Sequence, residues 1–275
     1  MKVKSRHFGD VTLSARRMGE GEPLVLVHGL MTSSYSFRYV LAPLAEHFEV
    51  IVFDLPGAGR SDAPDVPYDA QNVADLIGET FDALGLRAPR VIGNSMGGYL
   101  CMWLALRRPD AMSRLVNLHS PGLATPRMDA LELALGWLPG ARRIVDRLVS
   151  HNPERWAFRN VHYWDETLKS REEAREYAAP LRTPEGRKAF TRYLGDTLKA
   201  STMRRFEHML AERGSLPIPL QLIYARRDPM VPPSVGARLS ELVPSAPITW
   251  LERGSHFAHV DAPDAFLAAA LPFLR

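Results

Sequence analysis

The sequence Gly-Asn-Ser-Met-Gly at residues 93–97 constrains this chain more than any other feature. It follows the apolar pair at 91–92 and precedes a helical-looking apolar stretch at 99–106. A serine at the tip of a sharp strand-to-helix turn needs small residues two positions before and after it, because side chains there would collide with the strand and helix. The two glycines meet that need. The spacing predicts that Ser95 is a nucleophile on such a turn, and a glycine-rich turn with an ordinary surface serine is the alternative.

Two further candidates follow Ser95, each just after a strand-like run. Asp228 comes after the apolar run at 220–224, and His256 comes after the run at 248–251. A serine that attacks an acyl group needs a base to remove its proton and an acid to orient that base. The chain order Ser, Asp, His, with each residue past a predicted strand, is the order expected on an α/β-hydrolase sheet.

Composition limits the class of protein. With 275 residues and 46% hydrophobic content, the chain can form one large α/β domain with an insertion. The net charge is only +3 and the charges are interspersed, which argues against a nucleic-acid partner. The first residues lack a signal-peptide apolar region, and no apolar run approaches the roughly 20 residues that span a bilayer. We therefore expect a cytoplasmic protein with no membrane partner, and a single cysteine, Cys101, fits a reducing compartment.

Strand-like runs alternate with helical patterns over most of the chain. This rhythm predicts an α/β fold with a mostly parallel, eight-stranded sheet flanked by helices. We expect residues 2–8 and 11–17 to form an antiparallel pair of strands at the beginning of the fold. From about 121 to 216 the strand-like runs vanish and helical, charged and aromatic segments replace them. We predict a core of residues 1–120 and 217–275 and a helical cap of residues 121–216, which excludes water and supplies an apolar pocket.

Several segments in register resemble the α/β-hydrolase superfamily, in its capped branch, over nearly the whole chain outside the cap. The matching segments are His-Gly at 28–29, the loop 54–62, the turn 93–98, Asp228 with the Val-Pro pair at 231–232, and Gly-Ser-His at 254–256 followed by 262–266. One departure is Ala225, where the family usually has glycine three positions before the acid.

The resemblance implies roles for further residues. The backbone N–H groups of Leu30 and Met96 are expected to form an oxyanion hole, where losing one donor typically slows turnover about 10²–10³-fold. We expect the His28 imidazole to bond the backbone and shape its loop, and Asp54 to hold a sharp turn rather than act in catalysis. His259 is a rival to the predicted base, but the family pattern favours the histidine of the Gly-Ser-His turn.

The identity of the nucleophile limits which reactions the resemblance implies. An aspartate nucleophile would imply a haloalkane dehalogenase or an epoxide hydrolase, and the loop at 28–35 is similar to the dehalogenase loop, but here the nucleophile is Ser95. The serine turn is also similar to that of meta-cleavage-product hydrolases, which break carbon–carbon bonds. Those enzymes usually carry a Gly-Pro-Gly-like oxyanion loop and a tryptophan after the catalytic histidine, whereas this chain has Leu-Met-Thr at 30–32 and Phe257.

We therefore predict a serine hydrolase that cleaves a small to medium apolar carboxylic ester through an acyl-enzyme on Ser95. Carbon–carbon bond hydrolysis of meta-cleavage-product type is the second reading, and a small-molecule sensor on a hydrolase fold is a third of another class. No group of residues has metal-ligand spacing and no phosphate-binding glycine loop is present, so we expect neither metal nor cofactor. The predicted substrate contacts are Leu30, Met31, Phe257 and Trp164.

Overall fold

A seven-stranded sheet forms the centre of the computed structural model, which describes residues 1–138 and 140–275. The spatial order of its strands is β3-β5-β4-β6-β7-β8-β9. All neighbours are parallel except β3 and β5, which are antiparallel. The strands are β3 (Ala15–Met18), β4 (Pro23–Val27), β5 (Glu49–Phe53), β6 (Arg90–Asn94), β7 (Arg114–Leu118), β8 (Leu220–Ala225) and β9 (Ile248–Leu251). This topology confirms the predicted α/β fold with a mostly parallel sheet.

The prediction of eight strands in this sheet was wrong, because the predicted opening pair divides differently. The strands β1 (Lys2–Ser5) and β2 (Gly9–Thr12) form a separate antiparallel hairpin. The predicted second strand is interrupted where the loop after β5 takes its hydrogen bonds: the Thr12 amide donates to an Asp62 carboxylate oxygen at 2.8 Å, and the Ser14 carbonyl accepts from the Asp54 amide at 2.9 Å. Only the segment after this interruption, β3, reaches the main sheet.

Helices cover both faces of the sheet, as the buried parallel strands require. The helix α3 that follows the serine turn is apolar on all sides and almost wholly buried, so it packs between the sheet and its neighbours. The helices on the faces are α1 (Leu41–Ala45), α2 (Ala70–Ala83), α3 (Met96–Arg107) and, near the end of the chain, α10 (Pro233–Leu242), α11 (Ala258–Asp261) and α12 (Pro263–Leu274).

Between β7 and β8 the chain forms helices and, among the described residues, no strand. We call residues 126–213 the insertion. Its helices are α4 (Pro126–Trp137), α5 (Ala141–His151), α6 (Pro153–Asn160), α7 (Arg171–Ala178), α8 (Pro184–Arg192) and α9 (Ala200–Arg213). The helical content agrees with the sequence pattern, while the division into a core and a cap domain at 121–216 stays a prediction.

None of the helices in the described part of the chain is both long and apolar enough to cross a membrane. The cytoplasmic location stays a prediction from the sequence.

Candidate active site

Ser95 lies at the tip of the turn between β6 and α3, in a strained backbone conformation. Its φ is +52° and its ψ is −124°, a combination that residues with a side chain seldom adopt. The conformation persists because the surroundings fix it: the Ser95 amide donates to the Leu118 carbonyl at 2.7 Å, and the Ser95 carbonyl accepts from the Tyr99 amide at 3.2 Å. The turn therefore holds the serine side chain at the carboxyl end of the sheet.

The glycines on either side of Ser95 have the steric role that the motif predicts. A Cβ atom on Gly93 would lie 2.5 Å from the Gly98 Cα, and one on Gly97 would lie 2.6 Å from the His28 carbonyl oxygen and overlap that of Val27. These contacts involve backbone atoms, which cannot move aside as a flexible side chain can. The turn can close only with glycine at both positions.

The His256 imidazole forms a buried pair with Asp228. Its Nδ1 lies 2.7 Å from the Asp228 Oδ2, and both residues are buried. An ionised carboxylate can only accept, so Nδ1 carries the proton and Nε2 is left with a free lone pair. A neutral imidazole in this tautomer is suited to take a proton from a hydroxyl group.

Asp228 is kept ionised by its neighbours. Burial alone would raise the pKa of Asp228, but the His256 imidazole beside it and the hydrogen bonds it accepts hold that pKa below its ordinary value. Its second oxygen, Oδ1, accepts from the amides of Met230 at 2.7 Å and Val231 at 2.9 Å. The carboxylate is thus fixed in orientation as well as in charge.

Ser95 and His256 line the same cavity. Within the described chain, no hydrogen bond of 3.5 Å or less joins the Ser95 hydroxyl to the imidazole. Hydrogen bonds between catalytic groups are often long without substrate and shorten in the complex. The arrangement brings the nucleophile candidate and the base candidate to one wall of one cavity.

The loop after β4 orients the peptide group between Gly29 and Leu30. The Gly29 carbonyl accepts from His28 Nδ1 at 2.8 Å and from Thr32 Oγ1 at 3.1 Å. In a trans peptide the N–H points opposite to the carbonyl, so fixing the Gly29 carbonyl also fixes the Leu30 N–H. A Cβ on Gly29 would lie 2.9 Å from the Ser95 Cβ, which shows how closely this loop approaches the serine.

The His28 imidazole is used for structure, as the sequence predicts. Besides the bond from Nδ1, its Nε2 accepts from the Leu55 amide at 2.9 Å, so both ring nitrogens bond the backbone. Burial lowers the pKa of His28, which keeps the ring neutral. Asp54 likewise holds a turn: its carboxylate accepts from the amides of Ser34 at 2.8 Å and Arg60 at 3.1 Å.

The cavity beside Ser95 has a volume of about 540 Å³, within the range of ligand pockets. Most of its wall is aliphatic or aromatic and comes from the insertion, from α10 and from the loops that carry Asp228 and His256. Three of the predicted contacts, Leu30, Met31 and Phe257, lie on this wall. A second, much smaller pocket touches the oxyanion loop and Met96.

Trp164 is misplaced by the sequence prediction. It is absent from the cavity wall and 40% exposed, with the Arg227 guanidinium 4.9 Å from its ring centre. Its backbone N–H donates to Asp261 at 2.7 Å, and this bond holds residue 164 beside the start of α12. The tryptophan therefore covers the outside of the molecule.

The sequence reasoning missed the polar groups of the cavity wall. Arg127 on α4 is the one formally charged side chain among the described residues of this wall, and Asn160 on α6 adds an amide that donates to the Trp156 carbonyl at 2.8 Å. No motif marks these positions, because none of the motifs named in the sequence lies in the insertion.

Two other histidines lie close to the site but are buried. His119, which directly follows β7, is wholly buried, and its Nε2 accepts from the Ala225 amide at 2.6 Å. Burial lowers the pKa of His119 to about 3. His259, the rival base, is equally buried with its ring 4.8 Å from that of Phe37, and it is absent from the cavity wall.

Comparisons with known proteins agree with this geometry. A family model described as the alpha/beta hydrolase fold matches residues 22–263. The chain belongs to this family. The uncharacterized hydrolase YugF of Bacillus subtilis (strain 168) is 26% identical over 259 residues, which cover 92% of this chain and 90% of YugF. A 2-hydroxymuconate semialdehyde hydrolase of Pseudomonas putida is 29% identical over 269 residues, which cover 93% and 88% of the two chains.

Solved structures show the same fold. A thermophilic esterase from Thermogutta terrifontis superposes with a TM-score of 0.80 over 100% of this chain and 97% of its own, at 18% identity. Family membership makes the protein an α/β hydrolase that acts on a small molecule. The comparisons indicate neither a nucleic-acid partner nor a membrane partner.

Proposed function

We propose that this protein is a serine hydrolase that cleaves a small to medium apolar carboxylic ester, with Ser95 as nucleophile, His256 as base and Asp228 as the orienting acid. One observation carries the proposal. The cavity, which is large and mainly apolar, is lined both by a serine on a strained turn and by an imidazole whose tautomer is fixed by a buried carboxylate.

The chemistry follows from these positions. His256 Nε2 takes the proton of the Ser95 hydroxyl as its oxygen attacks the substrate carbonyl carbon. The carbonyl oxygen becomes an oxyanion, and the amides of Leu30 and Met96 donate to it. When the tetrahedral intermediate collapses, the carbon–oxygen bond to the alcohol breaks and the imidazolium protonates the leaving group. The imidazole then activates a water molecule, which hydrolyses the acyl-enzyme and releases the acid.

The insertion acts in this proposal as a cap. Its helices supply apolar wall residues of the cavity, among them Leu131, Val145, Phe190 and Leu194. Excluding water from the site strengthens the electrostatic interactions there, and the apolar wall receives the non-reacting part of the substrate. No cofactor enters the scheme, since each step uses only these side chains, the two amides and water.

Carbon–carbon hydrolysis is the second candidate. It is favoured by the similarity to the Pseudomonas putida 2-hydroxymuconate semialdehyde hydrolase over 93% of this chain. The ester reading comes first because Phe257 and the Leu-Met-Thr loop depart from the pattern of that group, and because most of the cavity wall is apolar.

A fluorophosphonate probe tests the activated serine. We expect rapid stoichiometric labelling of the wild type that Ser95→Ala abolishes. No labelling of the folded wild type would contradict the proposal and favour the small-molecule sensor.

A turnover panel separates the two reactions. Aryl esters of graded chain length should be hydrolysed, with apolar acyl groups preferred over charged ones, while a vinylogous diketone acid should react slowly. Turnover of the diketone acid without turnover of the esters would favour carbon–carbon hydrolysis. Equal rates on the charged and apolar ester series would contradict the apolar substrate class.

A further inference from the structure

Asn94, the residue before the nucleophile candidate, is wholly buried at the end of β6. Its side-chain Nδ2 donates to the His256 carbonyl at 3.2 Å and to the Leu118 carbonyl at 3.4 Å. Both partners are acceptors only, and they fix which end of the amide is the nitrogen. The side chain therefore reaches from the serine turn to the loop of the predicted base, 162 positions along the chain.

The other end of the Asn94 amide faces a third segment of the site. A Cβ placed on Gly29 would lie 3.2 Å from Asn94 Oδ1 and 3.3 Å from the Asn94 carbonyl oxygen. The amide thus sits between the oxyanion loop, the end of β7 and the His256 loop. Its Oδ1 has no hydrogen-bond partner within the described parts of the chain.

Two hydrogen bonds hold different parts of His256. Asp228 holds its ring through Nδ1, while Asn94 holds its backbone carbonyl. In the portion of the chain that the structure describes, the Asn94 bond is the one hydrogen bond that joins residues 254–257 to the serine turn at 93–97. Within the described residues, this amide is therefore the direct hydrogen-bonded link between the backbone of the base candidate and the turn of the nucleophile candidate.

We propose that Asn94 is a positioning residue that sets His256 relative to Ser95. The proposal rests on the proposed function, in which those two residues are base and nucleophile. Asn94 touches neither substrate nor a reacting atom, and it acts through the backbone of the histidine.

The first variant removes the donor at nearly constant volume. Asn94→Leu should slow fluorophosphonate labelling of Ser95 and hydrolysis of an aryl acetate by about 10- to 100-fold, since misplacing reacting groups by about 1 Å has effects of that order. The loss should fall on kcat with KM little changed, because the cavity wall stays intact. Thermal unfolding shows that the variant is folded.

The second variant gives a signature that a merely structural residue would not. In Asn94→Asp a neutral carboxyl group can donate to the His256 carbonyl as the amide does, whereas an ionised one cannot. Burial raises a carboxyl pKa, so the neutral form extends toward neutral pH. Labelling should approach the wild-type rate at low pH and fall, relative to the wild type, as pH rises.

Asn117→Asp is the matched control. Asn117 is also wholly buried, one strand away on β7. Its Nδ2 contacts the Met102 sulfur at 3.3 Å and its Oδ1 lies beside Gly98, but within the described residues neither atom is hydrogen-bonded to the His256 loop. Both variants keep the same titratable side chains in and next to the three segments that Asn94 contacts, among them His28, His119, Asp228, His256 and Asp261. The control should show no new pH dependence of labelling.

The outcomes separate this inference from the proposed function. An unlabelled wild type would contradict the proposed function itself. A labelled wild type with folded Asn94 variants that match its rate and pH profile would overturn only the role of Asn94, and so would the same new pH dependence in Asn117→Asp. If Asn94→Leu does not fold, Asn94→Ala, which also removes the donor, replaces it. A wild-type rate at all pH values in both Asn94→Ala and Asn94→Asp would overturn the role, whereas a rate that is slowed in Asn94→Ala at all pH values and in Asn94→Asp at high pH supports it.

Discussion

The carboxyl end of the sheet and the insertion face each other across the cavity, but they are built under different constraints. At the sheet end, backbone atoms approach so closely that Gly93 and Gly97 accept no Cβ, and the ring nitrogens of His28 are both bonded to backbone. In the insertion, helices meet through long side chains and exposed ion pairs such as Arg204 with Asp129.

The surface of the insertion shows the same contrast. Seven of the nine large hydrophobic side chains that are prominently exposed among the described residues lie between positions 133 and 168, and they are Leu133, Leu138, Ile144, Leu148, Phe158, Trp164 and Leu168. A side chain at such a position can be exchanged without backbone collisions. The turn that carries the nucleophile candidate therefore tolerates few side chains, whereas the surface of the insertion tolerates many.

The largest expected effect is the loss of turnover when residues at the carboxyl end of the sheet are replaced. Ser95→Ala and His256→Ala should each reduce turnover by about 10⁴-fold or more, because the attack by Ser95 requires His256 to take its proton at the same time. The double variant should be little worse than either single variant. Steady-state kinetics on an aryl ester measure this, and additive losses would show that the two residues act independently.

A pair of glycine substitutions compares the two regions in stability. Gly97→Ala should destabilise the protein by more than about 3 kcal/mol, because its Cβ would collide with two backbone carbonyls that cannot move. Gly136→Ala in α4 should stabilise it by roughly 0.5–1 kcal/mol, since no atom of the described residues lies within 4 Å of its added Cβ and alanine favours helices. Chemical denaturation measures both changes, and similar changes in the two variants would contradict the contrast.

The contact between the two regions contains a buried ion pair. Glu173 on α7 is only 2% exposed and accepts from Arg38 Nη2 at 3.1 Å and from the Tyr163 hydroxyl. Glu173→Ala should cost about 3 kcal/mol, because it leaves a partly buried guanidinium without its partner. The neighbouring Glu172 is exposed and accepts from the Tyr35 hydroxyl at 3.1 Å, so Glu172→Ala should cost less than about 1 kcal/mol. Equal losses in thermal denaturation would show that burial of the pair has no influence.

The last expected effect appears only in acid and concerns the pH dependence of stability. Burial lowers the pKa of His119 from its ordinary 6.5 to about 3. The folded state then binds fewer protons than the unfolded state between these values, so stability is full above pH 6.5 and is lost as pH falls toward 3. His119→Gln should make this decline shallower, by at most about 1.4 kcal/mol per pH unit.

A surface histidine of the insertion serves as the control for that slope. His208 on α9 has a side chain that is 75% exposed. His208→Gln should leave the dependence of unfolding free energy on pH unchanged. A slope that is the same in His119→Gln as in the wild type would show that the buried histidine does not contribute to acid lability.

The sequence motifs were a better guide to the structure than the alternation of strand-like and helical segments. Ser95, Asp228 and His256 could be named from the sequence because each follows a strand that ends at the same edge, and their catalytic roles stay predictions. The count of sheet strands was wrong by one, since the hydrogen bonds that Thr12 and Ser14 make to the distant loop after β5 divide the strand-like run at 11–17. Trp164 was misplaced because an aromatic residue gives no signal of whether it faces inward or outward.

By itself the sequence determined the family, the parallel sheet and the three side chains at its carboxyl end, because those features follow from local sterics and chain order. Only the tertiary structure decided which side chains line the cavity and that Asn94 holds the His256 backbone. Those contacts join residues far apart in the chain, and their geometry depends on how whole helices and loops pack rather than on any local pattern.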